Sequence, residues 1–512
     1  MSTPTPDEPP GLRTGTLTTA DISFFVVSAA APLTVMAGVA PVAILLGGIG
    51  APVGYLLAGL TLTVFAVGFT TMSRHVRSAG AFYAYITRGL GAPIGIAAAL
   101  VAMLGYNGME IGVYGLLGSA TSDTAAALGH DVPWLPVSLA GLLLIWYGGH
   151  RSIDFGAKLL GVLLVAETGI LVLLAGGVLI DGGAHGLSLA GLAPAHVLTG
   201  GTAAVLACAF AAFTGFESTV IYRREARNPE RTIPRATYIA VAFLGLFYAF
   251  VVWTVIQAFG EDKVVQAAAD DPGGLFFAAI TTYVGAWAAD LMHLLIITSV
   301  LASLLAFHNA INRYTLSLSE EGVLPKALGR IHPRHRSPYV AGAVQTALGA
   351  VVVLAFALAG ADPYQQLLLW VNTPGMIGLM VLQLLAALAV PCFFRRIDHR
   401  EGALRTVVAP VAAFVLLAGA IGLVTAHVEL FTGASTTVNT LLVSLVPAVF
   451  LLGLVLAYRL RRSRPEIYAR FAAEPVTEGA DPSCPHPTSS SSTPASATPS
   501  SPATPPSPSM AE

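Results

Sequence analysis

Long apolar runs are the feature that most limits what this chain can fold into. An α-helix needs about 20 mostly apolar residues to cross a hydrocarbon layer of roughly 30 Å. We place such runs near residues 22–46, 51–72, 92–118, 134–148, 157–180, 198–221, 236–258, 285–309, 339–360, 366–394, 404–426 and 437–458. The sequence therefore predicts an all-α polytopic membrane protein with 12 transmembrane helices.

The composition agrees with a chain that is partly solvated by lipid. Hydrophobic residues make up 55% of the 512 positions and charged residues only 11%, whereas soluble domains carry about a quarter charged residues. The net charge of -2 provides no basic field for nucleic acid. Cys208, Cys392 and Cys484 are far apart and indicate neither a disulfide framework nor a metal site. We expect no cofactor, no metal and no nucleic-acid partner.

The positions of the basic residues predict the orientation of the helices. All but one of the 26 Lys and Arg residues fall in alternate loops or in the terminal segments, and the exception is Lys263. Because cytoplasmic loops accumulate Lys and Arg, we expect a multi-pass plasma-membrane protein with both termini cytoplasmic. Residues 1–20 are polar and are not expected to act as a signal peptide. Residues 471–512 are rich in Ser, Thr and Pro, which predicts a disordered cytoplasmic tail.

A proline interrupts the first predicted span. Pro32 lies in mid-membrane, where it removes one backbone donor and frees the carbonyl of Ser28. Proline also suits the first position of a new helical segment, whose exposed amides, here those of Leu33 and Thr34, attract a carboxylate. A simple proline kink is the alternative.

The sixth predicted span carries a second interruption. Thr214 and Gly215 are followed by Glu217, an ionisable residue in mid-span, where charge is costly and is a functional-site candidate. The two interrupted spans enter the membrane from opposite sides, so residues 21–182 and 196–395 can form two inverted five-helix repeats, followed by two helices within 403–460. Paired breaks of this kind indicate a substrate site at the bilayer midplane.

Three motifs carry a resemblance to the amino acid–polyamine–organocation superfamily. They are Ser78-Ala79-Gly80-Ala81-Phe82-Tyr83-Ala84-Tyr85, Phe213-Thr214-Gly215-Phe216-Glu217 with Glu225-Ala226-Arg227-Asn228-Pro229 and Ile233-Pro234-Arg235, and Arg313-Tyr314 with Glu321-Gly322-Val323-Leu324-Pro325 and Ser337-Pro338. The resemblance covers residues of about 20–460. It implies a leucine-transporter-like fold of ten core helices plus two, with the substrate between the two interrupted helices.

The resemblance also implies which residues bind the substrate. An amino acid carboxylate would meet the first break and its amino group the second, which gives the set Ala31, Pro32, Leu33, Thr34, Ala211, Ala212, Phe213, Thr214 and Gly215. Two features depart from the family. Ala-Ala-Pro replaces its glycine-rich first break, which offers fewer donors to an anion. Many members of the family carry an aromatic residue on the sixth helix that covers the substrate. Ala211 occupies that position here, although Phe210 and Phe213 lie nearby, and this leaves room for a larger or different substrate.

Two mid-membrane carboxylates are candidates for coupling or gating, together with Phe210. Glu217 is interpreted as a gate or a proton carrier, because burial favours the neutral form of a carboxylate, and the alternative is a cap on the second helical segment. Glu167, in the fifth span, is either a proton carrier or a permanently neutral, hydrogen-bonded acid.

Further polar residues on the third and eighth spans are weaker candidates. Asn107 and Glu110 face either the substrate or a packing surface that Gly108 and Gly112 favour. Folds of the resembling type hold sodium between the first and eighth helices, so Ser28, Thr298 and Ser299 form a candidate sodium site. Hydroxyls that bond back to their own helix are the commoner alternative.

These observations favour a secondary active permease for amino acids or related amines that works by alternating access and is coupled to protons. The expected partners are a small-molecule substrate, the lipid bilayer and the coupling ion H⁺. The alternatives are an exchanger without ion coupling and a membrane-embedded enzyme. We expect that the chain is not an enzyme, because the sequence contains no HExxH, GxSxG or P-loop pattern.

Overall fold

The chain was analysed as a computed structural model, which describes Gly15 and residues 17–76, 81–151, 157–335 and 337–472. Within these ranges every regular element is helical, apart from one isolated β-bridge between Leu17 and Ala226. The prediction of an all-α fold is therefore confirmed. The expected tail lies outside the described residues from 473 onwards, as do residues 1–14 and Ser78-Ala79-Gly80 of the first motif.

The first half of the chain contains eight helices within the described ranges. They are α1 Thr19–Ala30, α2 Pro32–Gly38, α3 Ala40–Gly47, α4 Ala51–His75, α5 Ala81–Leu90, α6 Ala92–Ala127, α7 Trp134–His150 and α8 Ala157–Asp181. The first predicted span is thus divided into three pieces, because the chain is interrupted at Ala31 and again at Val39. The second of these interruptions was not expected.

The second half continues from α9 to the end of the described chain. Its helices are α9 Pro194–Val197, α10 Thr202–Ala212, a 3₁₀ segment Phe216–Arg224, α11 Pro229–Phe259, α12 Val264–Asp270, α13 Leu275–Tyr283, α14 Ala286–Glu320, α15 Tyr339–Leu358, a π-helical turn Pro363–Leu368, α16 Leu369–Phe394, a second π turn Leu404–Val408, α17 Ala409–Ala426, α18 Val428–Thr432, α19 Thr436–Ser463 and α20 Pro465–Ala472. Helix α20 extends two residues into the segment that we expected to be disordered.

Eleven segments of the described chain are long and apolar enough to cross a membrane. The predicted fourth span is absent from this set because α7 has only 17 residues, which correspond to about 25 Å of helix. The outer helices turn apolar side chains outwards: Ile180 is 90% exposed and Leu358 is 88% exposed. Such a surface is stable against lipid tails and unfavourable in water.

Proline begins several of these helices. Pro32, Pro41, Pro52, Pro93 and Pro229 each occupy one of the first two positions of their helix. Proline is favourable there because the first amides of a helix have no intrahelical acceptor and its φ angle already suits a helix. These five prolines therefore mark where helices begin, and Pro32 also marks where the first span is broken.

Loops that carry the basic residues meet at one end of the bundle, which we call the basic end. Arg74 contacts Glu401 at 3.3 Å, Arg88 donates to the carbonyl of Ala472 at 3.0 Å, and Ser337 donates to the carbonyl of His150 at 2.6 Å. These contacts join the C-terminal ends of α4 and α7 to the segments before α17 and α15. The expected alternation of loops between the two sides of a membrane stays a prediction.

Close packing between α6 and α16 fixes one wall of the interior. A Cβ atom at Gly108 would lie 2.9 Å from the carbonyl oxygen of Val371, which is too close for any side chain. Gly112 faces Asn372 in the same way. The predicted role of these two glycines in close helix contact is confirmed, and it brings α6 against both the first break and the second.

Candidate substrate and coupling site

The first break, at Ala31 between α1 and α2, is held in a strained conformation. Ala31 has φ 46° and ψ 74°, and it is the one non-glycine residue with positive φ in the described chain. A left-handed conformation costs an alanine roughly 1–2 kcal/mol. Pro32 then begins α2 at once, so the chain leaves one helix and enters the next within a single residue. Such strain persists only where the surrounding structure holds it in place.

The amide groups at the first break all have partners inside the protein. Ala31 N–H donates to the carbonyl of Ser28 at 3.1 Å, and Val35 N–H donates to the carbonyl of Ala31 at 3.1 Å. Thr34 N–H donates to Ser299 Oγ at 3.3 Å, and the Leu33 amide interacts electrostatically with the carboxylate of Glu167. Pro32 has no amide hydrogen. The positive end of α2 is therefore already covered by α8 and α14.

Glu167, Ser299 and Thr34 form a continuous hydrogen-bond chain across three helices. Ser299 Oγ donates to Glu167 Oε2 at 2.8 Å, and Ser299 Oγ and Thr34 Oγ1 are 2.8 Å apart. The three side chains are 3%, 0% and 5% exposed, so water does not compete for these bonds. Two residues that the sequence assigned to different roles, Glu167 to proton coupling and Ser299 to sodium, thus belong to one arrangement.

The second break, at Phe213–Gly215 after α10, uses glycine. Gly215 has φ 109°, which favours glycine because a Cβ atom would clash with the backbone. The chain that follows α10 folds back onto the end of this helix, and Thr214 N–H donates to the carbonyl of Ala211 at 3.1 Å. The chain continues as the 3₁₀ segment Phe216–Arg224. The predicted interruption of the sixth span is therefore present.

Glu217 closes the second break and joins it to α6. One carboxylate oxygen accepts from Gly215 N–H at 3.0 Å and the other from Tyr106 O–H at 2.6 Å, and Glu217 is 2% exposed. The geometry matches the predicted cap, in which a side-chain oxygen satisfies an amide at the start of a helical segment. The sequence analysis gave Tyr106 no role. A role as gate or proton carrier for Glu217 stays a prediction.

A series of tyrosines leads from Glu217 to the basic end. The ring centroids of Tyr106 and Tyr314 are 5.7 Å apart and those of Tyr314 and Tyr83 are 5.3 Å apart. Tyr83 O–H donates to Glu321 at 3.1 Å. Glu321 follows α14, and burial raises its pKa from 4.5 to about 7. Three residues of the resembling motifs, Tyr83, Tyr314 and Glu321, are thereby brought together.

A small cavity of about 50 Å³ lies between the two breaks. Four predicted substrate residues line it, namely Thr34, Ala211, Ala212 and Thr214. Ala31, Pro32, Leu33, Phe213 and Gly215 shape the breaks without lining the cavity. The cavity is also lined by Ser303, Phe307, Asn372 and Phe431, none of which the sequence analysis placed at the substrate site. Asn372 carried a signal, as a polar residue in an apolar span, whereas Phe431 lies beyond the ten core helices and carried none.

Other candidate residues point elsewhere. Phe210 and Phe213 are buried, and the Phe213 ring packs 6.4 Å from that of Tyr248, so neither covers the cavity. Asn107 donates to the carbonyl of Met103 on its own helix at 2.8 Å. Within the described chain, these side chains therefore contribute packing and local bonds rather than cavity lining.

Glu110 turns away from the cavity. Its neighbours Met109 and Val113 line the cavity, and successive residues of a helix point about 100° apart. The Glu110 carboxylate instead accepts from Gln345 and from Tyr114 O–H, and it lies 3.5 Å from His308 Nδ1. The prediction that Glu110 faces the substrate does not agree with this arrangement.

The three candidate sodium ligands are not arranged as one set. Thr298 donates to the carbonyl of Leu295 on its own helix at 2.9 Å, which is the alternative that the sequence left open. Ser299 is occupied by Glu167 and Thr34. The Ser28 hydroxyl is buried and has no hydrogen-bond partner among the described residues.

Comparison with known proteins agrees with this geometry. The profile of the amino acid permease family matches residues 21–467. An uncharacterized transporter of Mycobacterium tuberculosis is 30% identical over 345 residues, which cover 61% of this chain and 68% of the relative. Another from the same species is 32% identical over 145 residues, but the match spans only 32% of its length and 28% of this chain. The low-affinity putrescine importer PlaP of Escherichia coli is 25% identical over 303 residues, covering 56% of this chain and 63% of the importer. The extent of the family match shows that the chain belongs to the amino acid permease family.

Proposed function

We propose that this chain is a secondary active permease that carries small amines, amino acids included, into the cell together with protons. One observation carries the proposal: Thr34, which lines the cavity, is joined through Ser299 to the buried carboxylate of Glu167. A group that can bind a proton is thus connected to the substrate cavity by two hydrogen bonds. The similarity to a putrescine importer supports an amine as substrate.

Protonation of Glu167 would change how three helices are held together. The ionised carboxylate attracts the Leu33 amide at the positive end of α2 and accepts from Ser299 on α14. A neutral carboxyl group bonds both groups more weakly, so α2 is then held less firmly against α8 and α14. Because α2 lines one side of the cavity, loading a proton on Glu167 and loading substrate beside Thr34 act on the same break.

Glu217 has a different part in this proposal. Its two acceptor bonds hold the 3₁₀ segment against α6, on the side of the tyrosine series that leads to the basic end. We assign to Glu217 the role of keeping the cavity closed towards the basic end while it is open towards the opposite end. The distribution of Lys and Arg supports a plasma-membrane protein in which the basic end is cytoplasmic.

Uptake into proteoliposomes that contain only this protein tests the proposal. We expect a labelled amine or amino acid to accumulate when an inward proton gradient is imposed, and to equilibrate without accumulation when it is absent. Accumulation driven by a sodium gradient alone would show that transport is coupled to sodium instead of protons, with Ser28 and the Glu167 carboxylate as ligands. Uptake that requires a counter-substrate inside the vesicles would establish the exchanger. No uptake under any of these conditions, from folded protein, would contradict the permease.

A further inference from the structure

We infer that the cavity selects small primary amines that lack a carboxylate. This inference rests on the proposed function and narrows its substrate class. An amino acid needs two complementary subsites, one with free donors for its carboxylate and one with free acceptors for its ammonium group. The hydrogen bonds at the two breaks leave acceptors free at the cavity and occupy the donors.

The donors of the first break are taken by the protein itself. The amides of Ala31, Thr34 and Val35 donate to Ser28, Ser299 and Ala31, and the Leu33 amide interacts electrostatically with Glu167. A substrate carboxylate would therefore have to displace a resident carboxylate from the same helix end. It would also lie close to the charge of Glu167, which opposes a second anion.

The second break repeats this arrangement. Gly215 N–H, the first amide after the turn, donates to the carboxylate of Glu217. Phe216 N–H donates to the carbonyl of Phe213 at 3.4 Å. Each helical segment that begins at the cavity thus has a carboxylate of this chain on its positive end, Glu167 at the first break and Glu217 at the second.

Among the described residues, the diverted amides leave two carbonyl groups at the cavity without a backbone donor. In a continuous helix the Ala30 carbonyl would accept from Thr34 N–H, which instead donates to Ser299. The Ala212 carbonyl would accept from Gly215 or Phe216, and both of these amides donate elsewhere. Ala30 and Ala212 line the cavity. They are also the last residues of α1 and α10, whose C-terminal ends carry partial negative charge.

The rest of the lining suits an ammonium group as well. Hydroxyls of Thr34, Thr214 and Ser303 add acceptors, and no Lys, Arg or His is among the lining residues of the described cavity. An ammonium group has three donors and no acceptor, so it satisfies freed carbonyls that would otherwise be buried without partners. A carboxylate would find no free backbone amide at either break and no cationic side chain in the described lining, so the neutral donors of Thr214, Ser303 and Asn372 are all that this lining offers it.

Matched pairs that differ only by the carboxylate test the inference. Binding to the purified full-length chain would be measured by titration calorimetry for cadaverine against lysine, putrescine against ornithine, and isoamylamine against leucine. We expect the amine of at least one pair to bind about 100-fold more tightly than its amino acid, since an unpaired buried charge is costly. Equal or tighter binding of the amino acids, or no binding of any of the three amines, would overturn the inference.

Substitutions at Ser299 show whether the occupied donors cause the selection. Ser299→Ala frees the Thr34 amide, so the preference for the amine should fall by about tenfold, the size of effect that a charge at a helix end can reach. Ser299→Thr keeps the hydroxyl and should keep the preference, and Thr298→Ala is the matched control on the same helix. An unchanged preference in a folded Ser299→Ala protein would contradict this cause. If a proton gradient drove the accumulation of amino acids but not of amines, the proposed permease function would be supported and the inference about amine selection would be contradicted.

Discussion

The two breaks in the chain reach the same electrostatic result by different routes. Each places a carboxylate on the positive end of the segment that begins there. At the second break, Glu217 lies two residues after Gly215 on the same segment. At the first break, Glu167 comes from α8 and acts partly through Ser299 of α14, which is 265 residues away from Thr34.

The difference concerns what each break depends on. The second break is assembled from neighbouring residues and uses a glycine at the turn, so it can form wherever α10 ends. The first break puts an alanine in a left-handed conformation and is held by two other helices. A movement of α8 or α14 therefore acts on the first break directly, whereas the Glu217 carboxylate at the second break is hydrogen-bonded to α6 through Tyr106. This contrast favours the first break as the place where a bound proton alters the substrate cavity.

The largest expected effect separates the two carboxylates by their role in transport. We expect Glu167→Gln to bring uptake under an inward proton gradient down to the level without a gradient, because the amide cannot bind the transported proton. Glu217→Gln should retain the response to the gradient, since an amide oxygen can still accept at the second break. Proteoliposome uptake measured from pH 5 to pH 8 checks both variants.

Exposed Glu466→Gln is the matched control for this pair and should behave like the unmodified protein. If Glu167→Gln still accumulated substrate with the gradient while Glu217→Gln did not, the roles of the two breaks would be reversed.

Removal of the Glu217 carboxylate should have the largest effect on stability. Glu217→Ala leaves Tyr106 O–H and Gly215 N–H as buried donors without their acceptor. Each unsatisfied donor costs about 1–3 kcal/mol. We expect a lower free energy of unfolding in detergent for Glu217→Ala, and a smaller decrease for Tyr106→Phe, which loses only one of the two bonds. A Glu217→Ala protein as stable as the unmodified one would show that the second break does not depend on its cap.

The same contrast explains how much the sequence could predict. Pro32, Gly215 and Glu217 are local signals, and they sufficed to locate both breaks and to name the cap. The link from Glu167 to Ser299 and Thr34 could not be derived, because it depends on how α8 and α14 pack against α2. Glu110 shows that the sequence also could not predict which way a buried acid faces. It lies on a helix that lines the cavity, but its carboxylate faces His308 and Gln345 instead.

Exchanging alanine and glycine between the two turns should give effects of different size. Gly215→Ala forces an alanine to φ 109° and should destabilise the protein by about 1–2 kcal/mol. Ala31→Gly relieves a similar strain, but glycine gains entropy in the unfolded chain, so we expect a change within about 1 kcal/mol. Thermal unfolding of the two variants in the same detergent compares them. A large loss of stability in Ala31→Gly would show that the first break needs the Ala31 side chain rather than merely tolerating it.

The smallest expected effect concerns Glu321, at the far end of the tyrosine series that begins at Glu217. Burial raises the pKa of Glu321 from 4.5 to about 7, so the folded protein holds this proton more tightly than the unfolded chain does. The stability that this group contributes is fully present below about pH 4.5 and is lost as the pH rises through about 7. Glu321→Gln should remove this part of the decline while keeping an acceptor for Tyr83 O–H. Unfolding measured from pH 4.5 to pH 8 checks it, with Glu466→Gln as the exposed control. If the decline persisted in Glu321→Gln, the pH dependence would belong to another group, and the tyrosine series would not connect the second break to a titrating residue at the basic end.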